Sequence, residues 1–233
     1  LLDFLKSQKI PYCGINIGPV HRKDVMKAST MLEHDAQWAV ILAFDVKIER
    51  EAQKMADEEG VKIFSADIIY HLQDSFVQYR AELREKKRKE HQHLAIFPVK
   101  FRVLPEHVYT RRDPITVGVK ILTGQLKPGT PIVVIPHKDK ESKERIFIGA
   151  VHSIENNNKS VDIARKDEEV CIKIENTTGD APKMYGRHFD YMDDLVSRIS
   201  RESIDVCKQY FREDLKKEDW QLVVELKKLL DIM

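Results

Sequence analysis

Between Asp67 and Val103 the spacing of apolar residues changes, and this change constrains the fold more than any other feature. Ile69, Leu72, Phe76, Tyr79 and Leu83 recur in steps of three and four, the stripe of a helix with one buried face. Arg84-Glu85-Lys86-Lys87-Arg88-Lys89-Glu90 follows without an apolar position. A helix polar on all sides often bridges domains through solvent. From Asp67 to His91 such a helix extends roughly 35–40 Å at 1.5 Å per residue. From Ala95 the period is two, with Ala95, Phe97, Val99, Phe101 and Val103 apolar, as in a half-buried strand. The chain therefore reads as two small domains joined by a rod.

Upstream of the rod, Ile15–Ile17 is a short strand candidate broken by Gly18-Pro19. Asp24–Ala28 opens a helix. Ala39–Phe44 is a continuous apolar run of the kind buried in parallel sheets. Ile48–Glu59 is helical, with Gly60 as its stop, and Val61–Phe64 is another strand. The order predicts a small parallel sheet with helices on its faces. Downstream, Ile115–Ile121, Pro131–Ile135, Ile146–Ile154 and Val170–Ile174 are short strands separated by turn residues, the pattern of a small antiparallel barrel. Lys138–Glu144 reads as a solvated loop. The tail is helical again, with Ile204, Cys207, Phe211 and Leu215 on one face. A second tail helix, Trp220–Leu230, has an apolar band too wide for one contact. The fold class is thus α/β plus β in several parts. An α/β/α domain spans 1–67, a long connecting helix 68–93, a β-barrel 94–190, and a C-terminal helical hairpin 191–233 packs on the barrel.

Thirty-nine basic side chains meet 38 acidic ones, a net charge of +1, so attraction to nucleic acid must come from local patches. Cys13, Cys171 and Cys207 have no metal-ligand or redox spacing, and a sparse odd count fits a reducing, cytoplasmic setting. No stretch reads as a membrane span. The opening Leu1-Leu2-Asp3-Phe4 reads as a start inside a helix of a longer protein.

Motifs for bond chemistry are missing. Nothing fits the phosphate loop or the Gly-x-Ser-x-Gly elbow. Gly14-Ile15-Asn16-Ile17-Gly18-Pro19 resembles a glycine-rich loop superficially, and a small α/β enzyme or nucleotide-binding domain using that Gly14–Gly18 turn is the alternative reading. However, Pro19 has no N–H to offer a phosphate. His91-Gln92-His93 lacks the companions of a metal site, and Glu168-Glu169 and Asp193-Asp194 read as surface charge.

Two surfaces remain. On the barrel, Arg111-Arg112, the Asn156-Asn157-Asn158-Lys159 turn, and Lys183 with Arg187-His188 have the donors that contact phosphate, sugar and base edges. On the tail, apolar positions interleave with basic ones. Arg201, Ile204, Lys208, Phe211, Trp220, Val223, Val224 and Lys227 make a candidate groove for an acidic peptide with hydrophobic anchors.

Several stretches, in order, are similar to the C-terminal half of the eukaryotic and archaeal translation initiation factor 5B family, relatives of bacterial initiation factor 2. They are Gly14–Val20 with Asp24–Ser29, Ala39–Val46, Ile68–Leu72, Arg112–Ile115, Pro182–Phe189 and Asp219–Leu222. The resemblance implies a ribosome-dependent GTPase that promotes subunit joining and holds initiator methionyl-tRNA. Its GTP and magnesium would belong to a domain preceding Leu1, leaving this chain without cofactor or catalytic residues. The last barrel would contact the aminoacyl end of the tRNA around Asn156, Asn157, Asn158, Lys159, Glu169 and Val170. Bacterial relatives carry a basic, aromatic turn there, which Glu155-Asn156-Asn157-Asn158 lacks, and a family cysteine position falls at Val170, with Cys171 adjacent. The tail helices would dock the acidic C-terminus of initiation factor 1A. Ribosomal subunits are further expected partners, and no membrane is involved.

Overall fold

A computed structural model describes residues 2–7, 10–137, 144–157, 159–179 and 181–232. The chain divides into two compact units, residues 1–87 and 88–233.

In the first unit, helix α1 (Leu2–Ser7) and helix α2 (Arg22–Ser29) precede strand β1 (Val40–Phe44). Helix α3 (Arg50–Glu59), strand β2 (Lys62–Ala66) and helix α4 (Ile69–His91) follow. β1 and β2 pair in parallel, Val40 opposite Lys62 through Phe44 opposite Ala66. Successive side chains leave opposite faces of a strand, and both faces are covered. Ile41, Ala43 and Ile63 pack with Val25, Ala52 and Ala56. Val40, Leu42 and Phe64 pack with Leu5, Ile10, Trp38 and Phe76. Ala52 and Ala56 of α3 are fully buried, and the partly buried Met55 packs against the same cluster. Gly60 ends α3 at φ +79°, and its N–H donates to the Ala56 carbonyl, the left-handed stop that glycine adopts without Cβ strain.

The expected strand at Ile15–Ile17 does not form. The sheet has two strands, and this segment touches it only by a bridge between Val20 and Ile48. The Asn16 side chain accepts Ile17's own N–H at 2.9 Å, and Pro19 has none to give, so no ladder can grow. Ile15 and Ile17 stand 64% and 97% exposed. The charged run of α4 is also less solvated than its sequence suggests. Lys87 Nζ reaches Asp35 at 3.1 Å inside the first unit, and Arg88 has partners inside the second.

The second unit is built on strands β3 (Val99–Thr110), β4 (Ile115–Leu126), β5 (Pro131–Ile135), β6 (Ile146–Asn156), β7 (Lys159–Ser160), β8 (Ala164–Arg165), β9 (Glu169–Glu175) and β10 (Asp194–Ser197). Six of them close a ring in the order β3-β10-β5-β6-β9-β4, with β4 returning to β3; β7 extends β6 and β8 pairs β4. Closure removes the edges that an open sheet exposes. The interior holds Phe101, Val117, Val119, Ile121, Ile132, Ile154, Ile172, Leu195 and Phe189, all essentially inaccessible. The β3–β4 pairing jumps from Val103–Val119 to Val108–Val117. Pro105 falls in that gap and cannot donate to a ladder. The strand expected from Ala95 begins instead at Val99, because Ala95 and Phe97 join a separate cluster with Val206, Cys207, Phe211 and Leu215.

Helices α5 (Arg201–Tyr210) and α6 (Lys217–Leu229) lie on the outside of the barrel. Ser200 caps α5 by accepting from Ser203 N at 3.1 Å, while the Ser203 hydroxyl accepts from Ser200 N at 2.9 Å. Asp219 ties down the start of α6 by accepting from Lys216 N at 2.8 Å. Outward-facing Val133 and Val196 of the barrel pack with Ile199, Ile204, Leu222, Val223 and Leu226.

Candidate functional site

The helical tail was expected to offer a groove. Ile204, Phe211 and Val223 are instead buried in packed clusters against the barrel. Trp220 is half-buried and bridges both clusters. Solvent keeps Val224, 56% exposed, together with the exposed cations Arg201 and Lys208 and the half-buried Lys227. Arg201 is engaged by Asp205 at 3.1 Å on its own helix. Val224, Lys227, Lys228, Asp231 and Ile232 line an open depression of about 600 Å³ at the C-terminal end of α6. The tail's accessible feature is thus a shallow apolar floor with a lysine rim.

Ion pairs fix the other side of α6. Lys100 Nζ lies 3.2 Å from Asp194 and 3.3 Å from Glu225, and Arg102 Nε lies 2.6 Å from Asp194. Burial alone would lower the Lys100 pKa, but Asp194 and then Glu225 outweigh it and raise it.

One end of the barrel brings together the residues expected near an aminoacyl group. Asn156 pairs with Lys159 across the β6–β7 turn, and Glu155 pairs with Cys171 of β9. Asn157 takes φ +50°, a left-handed position that asparagine tolerates. Glu169 sits at the same end, opposite Lys120, whose Nζ is 3.5 Å away. Asn158 lies outside the described residues. Val170 points into the core, 4% exposed, so it shapes this end from beneath. Cys171 is half-buried, and burial followed by the Glu155 charge raises its thiol pKa.

Arg111, Arg112, Lys183 and Arg187 do not join that end. They cluster beyond the start of β4 and the end of β9, since Ile115 pairs with Ile174 and Tyr185 N donates to the Arg111 carbonyl at 3.0 Å. Glu169–Glu175 spans seven residues, which separates the two ends by roughly 20 Å. Sequence proximity in type, not in place, had grouped them. A cleft of about 260 Å³ opens beside Lys183, lined also by Arg145, Phe147, Asn176 and Thr178.

Within the glycine-rich loop, Ile17 N donates to the Asn16 side chain at 2.9 Å, and the amides just beyond the loop are committed as well. Val20 N donates to the Lys47 carbonyl, and His21 N donates to Asp24 at 2.9 Å. The α2 N-terminus carries its own carboxylate, which repels a phosphate. His91 stacks on Tyr210 with centroids 4.6 Å apart. No group of three His, Cys, Asp or Glu side chains that could hold a metal ion occurs among the described residues. No described helix is long and apolar enough to cross a membrane.

Residues 2–77 match the family model described as Translation-initiation factor 2, and residues 97–196 match that of Elongation factor Tu domain 4. The chain is 57% identical over 233 residues to Eukaryotic translation initiation factor 5B of Rattus norvegicus, covering 100% of this chain and 19% of the relative. The Saccharomyces cerevisiae protein of that name is 44% identical over 238 residues, 100% of this chain and 23% of its own length. Probable translation initiation factor IF-2 of Ignicoccus hospitalis is 32% identical over 229 residues, covering 98% of this chain and 36% of its own length. The chain spans about a fifth of the first two relatives and about a third of the third. With both halves matched in order and identity running from end to end, the chain belongs to the translation initiation factor 5B family.

Proposed function

We propose that this chain is the part of a ribosome-dependent initiation GTPase that holds initiator methionyl-tRNA and receives a partner peptide, while GTP hydrolysis takes place elsewhere in the whole protein. The carrying observation is 57% identity over the entire chain to a relative of which it spans 19%. The barrel end at Asn156, Asn157, Lys159 and Glu169 contacts the aminoacyl group, on a turn without the basic, aromatic side chains of bacterial relatives. The surface at Val224, Lys227 and Lys228 takes the acidic C-terminus of initiation factor 1A. Subunit joining is the process the whole protein serves, in the cytoplasm and away from membranes.

The test is titration of the chain with initiator tRNA in methionylated and deacylated forms. Tighter binding of the methionylated form, reduced by Asn157→Ala with Lys159→Ala, is expected; equal affinity overturns the assignment of that end. Saturable, specific GTP binding by the same chain would overturn the division of labour. The Ile17 amide taken by Asn16 within the turn, the missing N–H of Pro19 and the committed amides of Val20 and His21 just beyond it argue against the alternative of a nucleotide site at Gly14–Gly18.

A further inference from the structure

The stretch from Lys216 to Ile232 holds four lysines, Lys216, Lys217, Lys227 and Lys228, against four carboxylates, Glu218, Asp219, Glu225 and Asp231. By sequence α6 and its ends are neutral, and an acidic ligand gains no net attraction there. The fold breaks this balance. Asp219 is buried and turns inward to accept from Lys216 N at 2.8 Å. Each of the other three carboxylates is met by a cation from outside the helix. Lys166 lies 3.2 Å from Glu218, Lys100 3.3 Å from Glu225, and Arg145 2.6 Å from Asp231. The four lysines have no ion pair among the described residues. Lys216, Lys217 and Lys228 are exposed and Lys227 is half-buried.

Two of the paired carboxylates border the surface proposed for a peptide. Asp231 lines the same depression as Val224, Lys227, Lys228 and Ile232. Glu225 stands three residues before Lys228, hence beside it on the helix surface. Left bare, both would repel an acidic chain across the roughly 8–10 Å over which exposed charges interact at physiological salt. Glu218 stands ten residues before Lys228, about 15 Å along the helix and beyond that range. Lys100 Nζ is held between Asp194 at 3.2 Å and Glu225. Asp194 also has Arg102 at 2.6 Å, so removal of Lys100 leaves Glu225 bare while Asp194 stays paired.

We infer that Lys100 and Arg145 are specificity-determining residues for the α6 surface. They act through Glu225 and Asp231, cancelling two carboxylates so that the helix shows an acidic peptide its lysines alone. The inference rests on the peptide-docking reading proposed above. A mechanical clasp differs in its consequences, because removing either member of a pair would then loosen α6 alike.

Two readouts of the 233-residue chain test this. In the first, NMR relaxation of the amides of Val224, Glu225, Lys227 and Lys228 is measured with an anionic carboxy-nitroxide and with a cationic amino-nitroxide. The anionic probe should relax them more strongly in the natural chain. Lys100→Met should abolish or reverse that preference, Glu225→Gln should enhance it, and the two together should restore it. In the second, a labelled peptide of the initiation factor 1A C-terminus is titrated by fluorescence anisotropy. Lys100→Met should weaken binding about threefold to tenfold at low salt and less at high salt. Glu225→Gln should not weaken it, and the double variant should come within about twofold of the natural chain. If Lys100→Met loses its thermal transition, the more exposed pair replaces it, with Arg145→Gln, Asp231→Asn and their combination. Asp231 has φ +50°, which asparagine tolerates. Lys166→Met should change neither readout. A double variant as impaired as Lys100→Met, or weakening by Glu225→Gln alone, would make these pairs mechanical clasps and overturn the inference. So would equal relaxation by the two probes in the natural chain. If the probe preference and its rescue appear but the peptide does not bind, the charge assignment stands and the peptide-docking reading falls.

Discussion

The Arg88 guanidinium donates to the Asp214 carboxylate at 2.6 Å, and the same guanidinium lies 5.0 Å above the Phe211 ring. The last turn of α4 is thereby fixed to the corner between α5 and α6, within the second unit. Both partners are about one quarter to one third exposed, less than most of the chain's ion pairs. Arg88→Ala should destabilise this unit by about 1–2 kcal/mol, combining a charge-assisted hydrogen bond with a cation–π contact. With Trp38 replaced by Phe, Trp220 fluorescence reports this unit alone during urea unfolding. A double-mutant cycle with Asp214→Ala should give a coupling of about 1 kcal/mol; additive effects would mean the pair is ornamental.

Glycine substitutions should separate crowding from backbone strain. A Cβ on Gly149, at φ +134°, would lie 2.2 Å from the Glu175 carbonyl oxygen, where β6 crosses β9. A Cβ on Gly129, at φ +82°, meets nothing within 4 Å. Gly129→Ala should therefore cost about 1 kcal/mol for the left-handed backbone, and Gly149→Ala about 3 kcal/mol or more, since the barrel must open to admit it. Equal losses in unfolding midpoint would refute the packing argument.

The barrel was legible in sequence because its strands alternate over long runs, and because turn residues separate them. β10 was not, since Asp194–Ser197 has four residues, too few to show a period. The α/β unit was legible from the apolar run at Ala39–Phe44. Its supposed first strand failed because an Asn16 side chain captures the backbone donor, which no periodicity reports. The tail groove was half legible. An apolar band wider than one contact was read as a surplus, yet the barrel's outer face at Val133 and Val196 and the cluster around Phe97 absorb most of it.

The three cysteines should react in the order Cys13, Cys171, Cys207. Cys13 is exposed, Cys171 intermediate and Cys207 buried. Burial pushes the Cys207 thiol up to about 11, with Lys127 opposing and Asp214 adding slightly, so little thiolate forms near neutral pH. Timed labelling with a maleimide, read by mass spectrometry, should modify Cys207 only in denaturant. Rapid native labelling of Cys207 would mean that its cluster opens locally.

Lys127 supplies a pH dependence. Its Nζ lies 3.3 Å from the Phe97 ring centroid. Burial lowers its pKa below 10.5, Asp214 and Cys207 oppose this without reversing it, and Arg88 adds to it. Between the folded pKa and 10.5 the unfolded chain binds more protons, so stability rises with pH in that window. Lys127→Met should remove this contribution. The stability of the natural chain relative to the variant should therefore climb as pH approaches 10.5 in urea titrations read at Trp220. A difference independent of pH would place Lys127 among the unperturbed lysines.

The tail surface requires a variant that does not confound folding with docking. Trp220 contacts two clusters, so Trp220→Ala should cost about 3 kcal/mol of stability before any partner is added. Val224 and Lys228 are exposed and Lys227 is half-buried, so substitution there spares the core. Val224→Asp with Lys227→Glu should leave the thermal midpoint within a few degrees. The same pair places two carboxylates where an acidic, isoleucine-bearing peptide is proposed to sit. Its affinity should drop at least tenfold, from lost apolar contact and like-charge repulsion. Titration of the natural chain should be salt-sensitive, with NMR shifts centred on Val224–Ile232. Peptide binding that survives the double variant, or shifts that map elsewhere, would remove the exposed face of α6 from the proposal.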